Sequence, residues 1–251
     1  MMDNRLDYRF SKPAPELADF VDRFSSLKNL SNKSDGVIIP NGRIDLLFSK
    51  TVDNQFQVTL MGLETQPKPM PKMKISAFFS ISFNPLAIEY ILKHSIAPIL
   101  NSGKILPNDF WGFNMSDLDD FEKFCEKATE KIKSILPNNI DERKKKLFQL
   151  IFSTNGEMSI KDLSETVYWT ERQINRYFNQ QLGISLKAYC SILRFQASLP
   201  YIKAGQLSPQ LNFTDQSHFI KEIKKLAGVS PKELFKNQND RFLQFLVYDK
   251  K

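Results

Sequence analysis

The stretch 159–183, SIKDLSETVYWTERQINRYFNQQLG, constrains this chain more than any other. It reads as two short helices joined by a tight turn. Ile160, Leu163 and Val167 fall on one face of the first, and Ile174, Tyr177, Phe178 and Leu182 on one face of the second. The start signals agree. Ser159 with Asp162 opens the first helix, and Thr170 with Gln173 forms a capping box at the second. Gly183 follows the last apolar position, where a helix commonly ends. At 100° per residue, Arg172, Arg176, Asn179 and Gln180 point away from the apolar stripe, with Asn175 on the flank. That face holds two guanidiniums and three amides and no acid. Such a face suits the major groove, where Arg pairs with guanine and Asn or Gln with adenine. It equally suits a solvated face on an ordinary bundle helix, and this stretch alone leaves both open.

Charge narrows the choice. The formal net charge is +7. Residues 1–112 carry 13 basic and 11 acidic side chains, residues 113–137 carry 4 and 6, and residues 138–251 carry 18 and 11. The surplus sits with the helix-turn-helix pattern and points to a polyanionic partner for that half. Two cysteines, Cys125 and Cys190, are too few for a disulfide framework, so a reducing, cytoplasmic compartment is expected. No signal peptide is read at the start and no apolar run is long enough to span a membrane.

Beyond Gly183 a third helix is expected over 186–203 and a fourth over 215–226. Three pieces, RQINRYFNQQLGIS (172–185), YCSILRFQAS (189–198) and FTDQSHF (213–219) followed by Gly228-Val229-Ser230-Pro231, occur in fixed order. Over roughly 147–236 the chain resembles the DNA-binding region of AraC-type transcription regulators. The resemblance implies two helix-turn-helix motifs. It places Arg172, Asn175 and Arg176 in one major-groove segment, with Asn179 on the same face, and Gln216, Ser217 and Lys221 in a second. Lys221, Lys224 and Arg194 are expected phosphate contacts. Two departures stand out. Tyr168 occupies a turn position that is usually glycine, so a bulky residue there must avoid or tolerate a left-handed backbone. Only 206–212 is available for the supporting helix of the second motif, enough for one turn at most, which implies a shortened motif.

The N-terminal half reads as β-rich. An amphipathic helix is expected within 1–30, with Leu17, Phe20, Val21, Phe24 and Leu27 as its buried stripe. A polar turn covers 31–36. Strands are expected at 37–39 and 44–48 around a Pro40-Asn41-Gly42 turn, at 56–61 and at 75–83. The Pro-rich 67–71 reads as a stiff loop. Asn84-Pro85 is expected to cap a short helix over 84–94. Residues 39–48 with 83–85 and 109–112 resemble the β-rich domain that precedes the DNA-binding region in some AraC-type regulators, which implies an effector-sensing or dimerising role. Arg43 and Asp45 read as surface charges. The many phenylalanines, Phe48, Phe56, Phe78, Phe79 and Phe83, are core residues or the lining of an apolar pocket. One histidine, His94, gives no metal set, and no phosphate loop or nucleophile elbow is present.

A linking helix is expected over 116–136, with Leu118, Phe121, Cys125, Ala128, Ile132 and Ile135 at heptad spacing. That stripe either pairs two chains or packs on the chain's own β domain. Helix 141–153 follows, led by the basic cluster 143–146. Pro200 predicts a kink or an early end near 199 in the third helix. An apolar tail, 242–248, must cover something.

The expected fold class is therefore α+β: a β-rich, barrel-like domain (1–112), a linking helix (113–137) and an all-α domain with two helix-turn-helix motifs (138–251). The expected partners are double-stranded DNA, a small-molecule effector in the N-terminal domain and a second copy through 116–136, with no membrane. No cofactor, metal or catalytic residue is expected. Two alternatives remain: a DNA-alkyl transferase with a sacrificial thiol, and an interaction protein that has lost DNA binding.

Overall fold

The computed structural model describes residues 7–28, 36–69, 75–211, 213–237 and 242. The expected turn at 31–36 and the tail at 242–248 lie outside the described residues except for Gly36 and Phe242. The chain divides into two compact units. One holds the described residues up to 28, 43–62 and 75–140; the other holds 36–42, 63–69 and everything from 141 onward.

The first unit is built on an antiparallel sheet of six strands in the order β1-β2-β7-β4-β5-β8. These are β1 (Asp7–Ser11), β2 (Val21–Lys28), β4 (Ile44–Thr51), β5 (Phe56–Met61), β7 (Ile75–Phe83) and β8 (Gly103–Leu106). Burial alternates in β4, where Ile44, Leu46 and Phe48 are fully buried; β7 buries 79–83 in succession, with Phe79, Ile81 and Phe83 on the same face as Phe48. Phe48 faces Phe79 directly across the β4–β7 ladder. The opposite face mixes hydroxyls with the rings of Tyr8, Phe10 and Phe78. Ser25 and Ser80, paired across β2 and β7, share a buried hydrogen bond of 2.6 Å, and Ser82 donates to the Asp45 carboxylate.

Helix α1 (Phe121–Ile135) closes the face that bears Phe48 and Phe79, preceded by a 3-10 turn at Met115–Leu118. Phe124 sits 5.2–5.4 Å, ring centre to ring centre, from Phe79, Phe113 and Phe48. Phe121, Ala128 and Ile132 are buried with it. The heptad stripe of the linking helix is thus spent largely on its own sheet, and Phe48, Phe79 and Phe83 are core. Asp120 caps α1 by accepting from the Lys123 amide.

Several expectations for this unit are overturned. No helix forms near 20. Leu17, Phe20, Val21, Phe24 and Leu27 are all buried, but in a 3-10 turn (Pro15–Leu17), the turn that follows it and strand β2. Strand β2 lies between β1 and β7 and buries four residues in succession, 24–27, which erases the alternation that identifies a half-exposed strand. Asn84 does not cap a helix: its side-chain amide donates to the Ala18 carbonyl at 2.8 Å, and the helical turn that follows is a short π segment, Ile88–Leu92. Arg43 is no surface charge. It reaches the part-buried Asp22 at 3.4 Å, and although burial pushes the Asp22 carboxyl up, Arg43, Arg23 and Lys12 outweigh it and hold it down at about 2.

The second unit contains α2 (Glu142–Ser153), α3 (Ile160–Val167), α4 (Glu171–Leu182), α5 (Leu186–Lys203), α6 (Gln216–Ala227) and α7 (Pro231–Lys236). It also contains a two-stranded ribbon, β3 (Val37–Ile38) with β6 (Lys68–Pro69). The expected hairpin across Pro40-Asn41-Gly42 therefore does not form, and the Pro-rich loop supplies a strand. A two-residue ladder tolerates Pro69 because the proline carbonyl still accepts. The ribbon segments pack on α5: Tyr189 Oη donates to the Gly42 carbonyl at 3.0 Å and Gln196 to the Pro40 carbonyl. Phe242 is buried and bridges to Val37. Helix α5 runs through Pro200 to Lys203 instead of ending near 199. Leu199 and Ile202 are fully buried on either side of the proline, so packing outweighs the lost backbone bond.

Candidate nucleic-acid interface

The interface is assembled around α4. Thr170 accepts from the Gln173 amide at 3.2 Å, and Gln173 Oε1 accepts from the Thr170 amide at 2.9 Å, closing the capping box. Ile174, Tyr177, Phe178 and Leu182 are buried. Phe178 packs on Phe148 of α2 at 5.6 Å and Tyr189 of α5 at 5.5 Å, so two helices hold its back. Gly183 ends the helix at φ +78°, a left-handed conformation natural to glycine.

Helix α3 precedes it, capped by Ser159, with Leu163 and Val167 buried. It ends at Tyr168, which takes the left-handed conformation, φ 55° and ψ 40°. Of the two outcomes that sequence allowed, the bulky residue tolerates that backbone.

The predicted side chains fall as follows. Arg172, Arg176, Asn179 and Gln180 are exposed. Asn175 is half-buried, and its amide donates to the Glu171 carbonyl at 3.2 Å; Asn179 likewise donates to the Asn175 carbonyl at 2.8 Å. These are i−4 bonds to a helix backbone that rotation of one side chain releases. On α6, Gln216, Ser217, Lys221 and Lys224 are exposed, while Phe219, Ile223 and Leu226 are buried. Gln216 donates to the Leu207 carbonyl at 3.0 Å. Asp215 caps α6, and no described residue between Gly205 and Asp215 is helical. Arg194 sits apart. Its Nη1 donates to the Gly156 carbonyl at 2.6 Å, which ties α5 to the loop after α2.

Two features escaped sequence reading. The ribbon braces α5 from the front half of the chain, which no local pattern signals. The basic cluster 143–146 was visible, but not its placement. The Arg143 guanidinium lies 5.4 Å from the Trp169 ring centre, and Lys144 Nζ lies 5.4 Å from that of Tyr177. Trp169 in turn packs on Tyr177 at 5.6 Å.

Among the described residues, no group of three or more His, Cys, Asp or Glu is placed to hold a metal, and no helix is long and apolar enough to cross a membrane. The two thiols are poor nucleophiles. Burial, with Glu122 and Glu126 nearby, pushes Cys125 up to about 12; burial pushes Cys190 up to about 11 despite Arg194.

A capped, basic helix held across a turn from a shorter one defines a helix-turn-helix protein. Residues 163–237 match the family model of a helix-turn-helix domain, and residues 9–103 match that of a domain of unknown function, DUF6597. The helix-turn-helix match takes in α4 and α6, and the DUF6597 match lies in the β-rich part of the chain. Among solved structures the chain is similar to ToxT from Vibrio cholerae, with 13% identity over 92% of this chain and 97% of that one, at a TM-score of 0.45. It is also similar to unsaturated fatty acid bound wild-type ToxT from Vibrio cholerae strain SCE256, with 12% identity over 95% and 94% and a TM-score of 0.42. No curated protein sequence matches it.

Proposed function

We propose that this protein regulates transcription by sequence-specific binding of duplex DNA, reading the major groove with α4. Arg172, Asn175, Arg176 and Asn179 are the base readers, and α6 supplies a second, shortened motif through Gln216, Ser217, Lys221 and Lys224. The observation that carries this reading is the exposed Arg172/Arg176/Asn179 face on a helix whose opposite face is fully buried. A helix so held presents guanidiniums in a fixed register, as bidentate base recognition requires. Because no described residue between Gly205 and Asp215 is helical, the second motif lacks its preceding helix, and we assign α6 chiefly to the DNA backbone. Arg194, bonded to the Gly156 carbonyl, reaches phosphate only with its remaining nitrogens.

The domain roles follow: 1–112 for sensing, 113–137 as the link, 138–251 for DNA. We assign a small-molecule effector to the N-terminal unit. Because Phe121, Phe124, Ala128 and Ile132 are buried in their own unit, a homodimer through 116–136 uses the outer side of α1. The partner places the protein in the cytoplasm. We assign no catalysis: a sacrificial alkyl acceptor needs an accessible, low-pKa thiol, and both thiols are shifted the other way.

Arg176→Ala is the test. Its exposed side chain supports no packing, so the fold is retained while specific affinity falls by roughly 1–3 kcal/mol. A mobility-shift titration on a duplex selected by the protein from a random library measures it; unchanged affinity removes Arg176 from base reading.

A further inference from the structure

Tyr168 is an anomaly within the helix-turn-helix. It is a bulky L-residue held at φ 55°, where glycine would sit without strain. Its side chain is 87% exposed, the most exposed of the large apolar side chains among the described residues. Of the seven non-glycine residues at positive φ among the described residues, four are Asn, which tolerates that region. Trp111, the other aromatic, uses its ring against Phe110 and Phe83. The ring and hydroxyl of Tyr168 have no partner among the described residues. Among the described residues, therefore, it strains the turn and returns no contact to the fold.

Its surroundings say what kind of partner it fits. Tyr168 stands two residues before Thr170, the cap of α4. The neighbouring rings of Trp169 and Tyr177 carry Arg143 and Lys144 of α2 beside them. The first turn of α4 adds exposed Arg172. A phenol hydroxyl two residues before the cap of a groove-binding helix stands at the flank of that groove, where the DNA backbone runs.

We propose that Tyr168 is a DNA-backbone contact: its hydroxyl donates to a phosphate flanking the groove that α4 occupies. This rests on the DNA-binding reading above. It adds a residue that the resemblance to AraC-type regulators does not supply, since that position is usually glycine.

The test uses the full chain carrying Tyr168→Gly or Tyr168→Phe. The probes are a duplex selected by the wild-type protein from a random library and a random-sequence duplex of equal length. Tyr168→Gly is expected to melt no lower than wild type, because the strain is removed. It should weaken binding on the order of tenfold, and Tyr168→Phe roughly fivefold. Both losses should be equal on the two duplexes, because phosphates carry no sequence. The slope of log affinity against log salt should stay unchanged, because a phenol is neutral. Unchanged affinity for Tyr168→Gly overturns the proposal, and so does full binding by Tyr168→Phe. A loss confined to the selected duplex means base reading instead. Lost transcriptional output with unchanged affinity means a protein partner, and also overturns it. Arg176→Ala on the same duplexes separates the two levels: if it weakens binding and the Tyr168 variants do not, only the present inference fails; if the wild-type chain selects no duplex from the library, the DNA reading itself fails.

Discussion

Replacing Gly156 by alanine tests whether the DNA-binding unit is held together at the α2–α5 contact. Gly156 is buried, at φ +71°, and a Cβ built on it lies 2.8 Å from Cys190 Cα and 2.8 Å from the Cys190 carbonyl oxygen. Both are backbone atoms of α5, so no side-chain rotation relieves the overlap. Its carbonyl also accepts from Arg194. Two costs add. An L-residue in the left-handed region costs about 1–2 kcal/mol, and overpacking a close-packed site costs about 1–3 kcal/mol. Gly205 supplies the control within the same unit. Its φ is +82°, but a Cβ there meets only the Phe235 ring at 3.7–3.8 Å, an ordinary contact. Gly205→Ala should therefore lose about 1 kcal/mol from strain alone, and Gly156→Ala about 3 kcal/mol. The chain has two tryptophans, Trp111 and Trp169, one in each unit. In a Trp111→Phe background, Trp169 fluorescence during urea unfolding reports the DNA-binding unit. If the two alanine variants agree within about 0.5 kcal/mol, backbone overlap with α5 is not what Gly156 avoids, and the reasoning fails.

The remaining predictions concern the first unit and the thiols. Phe124→Ala deletes a ring with three aromatic neighbours and should destabilise the β unit by about 3–5 kcal/mol, read from Trp111 in a Trp169→Phe background; a loss below about 1 kcal/mol would show a slack core. The Asp22 carboxyl lies below its ordinary 3.8, at about 2. Its stabilisation is complete above pH 3.8 and is lost as pH falls through 2. Asp22→Asn should therefore be destabilised at pH 5 and show a shallower acid loss than wild type; parallel urea midpoints from pH 5 to 2.5 would contradict this. Both native thiols should react with a disulfide reagent at pH 8 at least about a hundredfold more slowly than in the unfolded chain; a thiol reacting at the unfolded rate would refute the burial argument.

The helix-turn-helix was legible because its signals are local. Ser159, the Thr170–Gln173 box and Gly183 set the helix ends within a few residues of themselves, and the 3.6-residue stripes set the buried faces. The outward side of α4 follows from those stripes by rotation alone. Strand β2 was not legible, since Leu17, Phe20, Val21, Phe24 and Leu27 satisfy a helical period and are also buried as a strand. Its neighbours β1 and β7 decide between the two, and β7 lies some fifty residues away, Ser25 pairing with Ser80. Strand β6 illustrates the same limit, because proline reads locally as a loop until a distant partner offers a ladder.

Sequence by itself thus determined the outward polar face of α4, whose geometry needs nothing beyond one helix and its caps. Tertiary structure alone decided where the apolar stripe of α1 is spent, that Arg194 turns toward Gly156, that Pro200 stays inside a helix, and that 36–42 and 63–69 belong with the helices. Each of those outcomes is a competition between a weak local preference of about a kcal/mol and the burial of several side chains against partners far along the chain, and burial wins.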